Sequence, residues 1–71
     1  MGMKRVLFFL FALFHLLAAG QQQELFDEGN EHYRQNEFSA AVEKYNEVLE
    51  LGWESAELYF NLGNAYFKKA E

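Results

Sequence analysis

The 71-residue chain contains no cysteine and no proline. The first absence excludes a disulfide framework, a thiolate metal site and a lipid-bearing thiol. The second means that no residue forces a helix to break. Basic residues are also few: six against eleven acidic ones, for a formal charge of −5. Two of the six, Lys4 and Arg5, sit at the extreme N-terminus. Beyond residue 20 only Arg34, Lys44, Lys68 and Lys69 face the eleven carboxylates, a net of −7. So acidic a body argues against nucleic acid as a partner, because that binding needs a basic surface to displace counterions. The longest apolar run, Val6 to Ala19, broken only by His15, is 14 residues, short of the roughly 20 that span a bilayer. The length allows one small domain with a modest core.

What is present is helical periodicity. From Phe38 to Leu49 the apolar residues Phe38, Ala41, Val42, Tyr45, Val48 and Leu49 fall on one face of an α-helix. Ser39, Glu43, Lys44, Asn46, Glu47 and Glu50 fall between them. A stripe this wide needs other helices to cover it, and a helical pattern lies on each side. Leu25 to Gln35 reads as a first helix, with Leu25, Phe26, Gly29, His32 and Tyr33 near one side. The central helix is expected from about Glu37 to Leu51, after a turn at Asn36-Glu37 where Asn36 serves as a cap. Gly52 suits the left-handed residue that ends a helix. Ser55 is a good N-cap for a third helix, Ala56 to Lys69. Its expected buried side carries Leu58, Tyr59, Leu62, Gly63 and Tyr66, and Lys68 and Lys69 complement its dipole.

Residues 1–20 read as a secretory signal peptide. Lys4 and Arg5 make the positive start, Val6 to Leu17 the apolar core, and Ala18-Ala19-Gly20 a small-residue cleavage site before Gln21. Gln21-Gln22-Gln23 reads as a polar spacer. An uncleaved anchor is the alternative to cleavage.

The two outer helical patterns match when the chain is shifted by 34 residues: Phe26 meets Phe60, Gly29 meets Gly63, Asn30 meets Asn64, and Tyr33 meets Phe67. A 34-residue helix–turn–helix period is the signature of the tetratricopeptide repeat, or TPR. Tyr59, Leu62-Gly63 and Tyr66 match that motif's first helix, and Ala41 and Tyr45 match its second. The chain thus resembles the TPR family. Residues 22–55 correspond to one repeat, and 56–71 to the first helix of a second. Glu28 and His32 stand where the first repeat should carry Leu and Tyr, as suits a terminal repeat with a polar outer face. Trp53 replaces the usual Pro and can cover the repeat junction. The leader, the early repeat and the stretch from Gly52 to Lys68 also resemble exported TPR proteins of bacterial aerotolerance operons.

The resemblance implies an all-α solenoid piece, an interaction module rather than an enzyme, with no cofactor. Its partner is a protein or peptide held in the concave groove lined by first helices. The groove positions are then Phe26, Asn30, Tyr33, Arg34, Phe60, Asn61, Asn64, Phe67 and Lys68. Asn30 and Asn61 match two positions of the clamp by which some family members hold a C-terminal carboxylate. Phe26 stands where that clamp has a Lys, and without the charge a carboxylate binds weakly. A purely structural role in a larger solenoid is the alternative. A metal or catalytic site would have to come from two acidic rows, Glu24-Asp27-Glu28-Glu31 and Glu43-Glu47-Glu50-Glu54, with His32; charge runs of this kind usually solvate a face.

The leader implies export, to the periplasm or a membrane-associated site if the source is bacterial. The second repeat stops at Glu71, where its second helix is expected. The sequence is therefore expected to be a piece of a longer protein. Residues 21–71 alone are expected to be weakly folded, to dimerise or to pair with more chain, leaving Tyr66 and Phe67 exposed. The apolar leader is expected to lie on that open face.

Expression in a secreting bacterial host should yield a mature chain beginning at Gln21. Mass spectrometry that finds Met1 on exported, soluble protein refutes the signal reading.

Overall fold

The computed structural model describes residues 20–71. The expected leader and its packing therefore lie outside the described residues, apart from Gly20. The described chain is all-α: α1 over residues 20–34, α2 over Phe38–Glu50 and α3 over Ala56–Ala70.

Gln21 to Gln23 belong to α1 rather than to a spacer. Glutamine is a good helix former, and two of the three side chains find partners. Gln23 Nε2 donates to Asp27 Oδ1 at 3.0 Å, one turn on, and Gln22 Nε2 donates to the Leu51 carbonyl at the far end of α2, at 2.9 Å.

Both interhelical turns begin with a left-handed residue. Asn36 has φ +62° and Gly52 has φ +89°. At each, the next residue's N–H reaches back five positions, from Glu37 to the His32 carbonyl (2.9 Å) and from Trp53 to the Val48 carbonyl (3.4 Å). This is the Schellman arrangement, which satisfies carbonyls a helix end leaves open. Asn36 therefore ends α1 and does not cap α2, a correction to the expectation. Asparagine tolerates the left-handed region better than other residues with a Cβ. The N-cap of α2 is Glu37, whose side chain makes no cap bond because it meets His32 Nδ1 at 3.1 Å instead. Ser55 caps α3 as expected, its Oγ accepting from Leu58 N at 3.0 Å.

The core lies between the three helices: Phe26 from α1; Ala41, Val42, Tyr45 and Val48 from α2; Leu58, Leu62 and Ala65 from α3. These α2 residues are the centre of the stripe read from the sequence, and Phe38 and Leu49 lie half-buried at its margins. Trp53 closes the junction edge-on to Phe26, with ring centroids 5.3 Å apart. The α3 expectation needs correction. Leu58 and Leu62 are buried, but Tyr59 and Tyr66 are half exposed and Gly63 faces outward, while Ala65 takes the core position.

The two repeat glycines differ in the same way. A Cβ on Gly29 would come within 2.6 Å of the Tyr45 ring, whereas one on Gly63 would meet nothing within 4 Å. Tyr45 thus packs on Gly29 and not on Gly63, contrary to the expectation that it sits near both. Glu28 and His32, which depart from the family pattern, are both paired. Glu28 lies 3.5 Å from Lys44 of α2, and His32 bridges to Glu37.

Gly29→Ala should lower stability by about 1–3 kcal/mol, because the buried Tyr45 ring cannot retreat. Gly63→Ala, measured in dilute solution, should raise it by about 1 kcal/mol through helix propensity alone. Ala41→Leu, at a fully buried site, should cost about 1–3 kcal/mol. Circular dichroism melts in which Gly29→Ala and Gly63→Ala behave alike contradict this packing.

Candidate functional site

The described helices meet at one amide oxygen. Tyr45 Oη of α2 donates to Asn30 Oδ1 of α1 at 2.6 Å, and Asn61 Nδ2 of α3 donates to the same oxygen at 3.0 Å. The two lone pairs of Asn30 Oδ1 are thereby used. The Asn30 amide nitrogen and the Asn61 amide oxygen make no side-chain hydrogen bond among the described residues. A donor and an acceptor thus stand side by side at a half-buried seam, the pair of functions that an extended backbone offers in return. Burial pushes the Tyr45 phenol above its ordinary range, so it remains a neutral donor at physiological pH.

Around this seam the nine expected groove residues divide. Phe26 is only 5% exposed and packs against Tyr45 and Trp53; it belongs to the core beneath the surface, a correction to its placement in the groove. Tyr33 is half-buried, edge-on to Phe38 at 5.3 Å. Arg34 is exposed and donates through Nε to Glu31 Oε2 at 3.1 Å, which holds the Glu31 carboxyl below its ordinary range. Asn64 is half-buried. Lys68 is exposed, 3.9 Å from Glu71. Phe60 and Phe67 are 70% and 65% exposed.

Sequence reasoning placed Tyr45 in the core and missed its role as the hydroxyl that orients Asn30. The available signal was a tyrosine in place of phenylalanine at a core position, since a buried hydroxyl needs a partner.

Among the described residues no group of three His, Asp or Glu side chains converges on a point where a metal ion could sit. Lys44 spans Glu28 and Glu47 at 3.5 and 3.6 Å. A shallow hollow between the start of α1 and the end of α2 is lined by Gln21, Leu25, Glu47, Glu50 and Leu51 and holds no convergent donors. No described helix is long and apolar enough to cross a membrane.

The family model for the TPR repeat matches residues 29–69, from Gly29 in α1 to the last turn of α3. The chain belongs to the TPR family. No curated protein and no solved structure matches it. The TPR match includes Gly29 and Gly63 of the 34-residue period, Ala41 and Tyr45 of the motif's second helix, and Asn30 and Asn61 of the seam. Proteins of this family generally bind protein or peptide partners and are typically not enzymes.

Tyr45→Phe should cost about 0.5–1.5 kcal/mol near neutral pH through the lost hydrogen bond. It should also reduce the alkaline loss of stability. With the phenol raised in the folded state, stability is full below the ordinary tyrosine value of about 10 and falls as pH rises past it. Denaturant titrations between pH 7 and 11 check this; an unchanged alkaline slope in the variant assigns the effect elsewhere.

Proposed function

We infer that this TPR chain is an exported protein–protein interaction module that holds an extended segment of a partner along the seam between α1 and α3. The observation that supports this reading is the Asn30–Asn61 pair, anchored by Tyr45 and presenting one amide donor and one amide acceptor. Such a pair reads peptide backbone and little else. Arg34, Asn64 and Lys68 flank it, two of them cations in an otherwise acidic body, and Phe60 and Phe67 stand at its rim. Rings of this kind supply contact area at low entropic cost. The buried Phe26 leaves no cation beneath the pair, so the recognised feature is an internal backbone stretch and not a terminal carboxylate. Export rests on Lys4-Arg5, the apolar run and the Ala18-Ala19-Gly20 site, and places the partner in the periplasm or at a membrane surface if the source is bacterial.

A peptide array probed with the 71-residue chain tests the reading. Retained peptides should lose about tenfold in affinity, or roughly 1.4 kcal/mol, on Asn61→Ala or Asn64→Ala, with helical content unchanged. Retention that is indifferent to both substitutions overturns it.

A further inference from the structure

Three glutamines follow Gly20, and they are not equivalent. Gln22 Nε2 donates to the Leu51 carbonyl at 2.9 Å, and Gln23 Nε2 donates to Asp27 Oδ1 at 3.0 Å. Gln21 is exposed at the start of α1, and its carboxamide makes no side-chain hydrogen bond among the described residues. Gln21 also directly follows the small residues Ala18-Ala19-Gly20. Removal of the leader at that site gives Gln21 the α-amino group of the mature chain.

We propose, resting on the export reading, that Gln21 is a modification site at which the mature chain closes to pyroglutamate. The new amine nitrogen attacks the carbonyl carbon of its own side chain. A bond forms between the α-nitrogen and Cδ, and the Cδ–Nε2 bond breaks. Nε2 leaves as ammonia, taking the proton that the amine gives up. The product is a γ-lactam, and no oxidant, reductant or second substrate enters. Gln22 and Gln23 cannot follow, because their backbone nitrogens are already amides.

The position favours the ring. An α-amino group titrates at about 7.7–8.0, so at neutral pH part of it is the uncharged nucleophile. The charged part sits on the positive end of the α1 dipole, where cations are disfavoured. Closing the ring removes that charge, as any blocking of a terminal amine does. The first N–H groups of a helix have no acceptor within it, so closure costs α1 no hydrogen bond. The competing fate is an ammonium held by Glu47 and Glu50, which line the hollow beside Gln21. Glu47 already lies 3.6 Å from Lys44. Glu50 is exposed, where a charge pair gains little.

The lactam protects a tie between helices. Gln22 joins the start of α1 to the end of α2. An aminopeptidase that removes Gln21 reaches Gln22 next, and the tie goes with it. A lactam presents no free amine, so the stepwise removal never starts.

The test uses the 71-residue chain, expressed in a secreting bacterial host. The soluble exported protein is incubated at neutral pH until its intact mass is constant. The expected mass is that of residues 21–71 less one ammonia. Edman sequencing should give no residue until pyroglutamyl aminopeptidase is added, and should then read from Gln22. Gln21→Ala, at an exposed site, should keep its own full mass and sequence directly from position 21. An ordinary aminopeptidase should shorten that variant and leave the parent chain whole. Exported protein that begins at Gln21 and retains the ammonia overturns the proposal and leaves the export reading standing. A first residue between positions 2 and 71 other than Gln21 does the same. Soluble exported protein that keeps Met1 overturns both.

Discussion

The structure depends on the packing of the Tyr45 ring onto Gly29. Only a hydrogen at position 29 leaves room for the ring, because any Cβ there would overlap it. Once seated, the ring lies beside Phe26 and its hydroxyl reaches Asn30, which in turn receives Asn61 from α3. One side chain thus supplies apolar burial between α1 and α2 and the polar tie to α3. Deep burial of a tyrosine is favourable only when its hydroxyl is satisfied. The geometry that packs the helices is therefore the same geometry that orients the seam amides.

The turns make this packing reproducible. Asn36 and Gly52 both take the left-handed conformation, and each is followed by the same long backward hydrogen bond. α2 is consequently bounded at both ends by turns of defined shape, and its apolar stripe is aimed at the core. The departures from the family pattern fit into this frame. Glu28 finds Lys44 across the α1–α2 contact, and His32 finds Glu37 across the first turn. Pairs this exposed add little stability, but they leave no uncompensated charge where the family carries Leu and Tyr.

Positions 34 residues apart share residue type and differ in fate. Phe26 is buried and Phe60 exposed; Gly29 is covered by a ring and Gly63 by nothing described. α2 lies on the one face, and no described helix lies on the other. For that reason only part of the candidate site was legible in the sequence. The repeat register named Asn30 and Asn61 through the family's groove positions, and the fold brings the two amides within hydrogen-bond reach. The same register placed Phe26 in the groove, where the packing of Trp53 and Tyr45 instead closes over it.

The sequence by itself determined the elements. Its 3.6-residue periodicity defined three helices, Gly52 and Ser55 marked two of their ends, and the 34-residue period identified the repeat. These are local properties, written in the order of side chains along one helix and in the backbone freedom of single residues. The tertiary structure decided which of two equivalent faces is covered, that Asn36 closes a helix instead of opening one, and that a core tyrosine carries the hydrogen bond holding the seam. Those outcomes depend on which helix lies against which, and burial is a property of neighbours distant in the chain. No periodicity within a single helix records it.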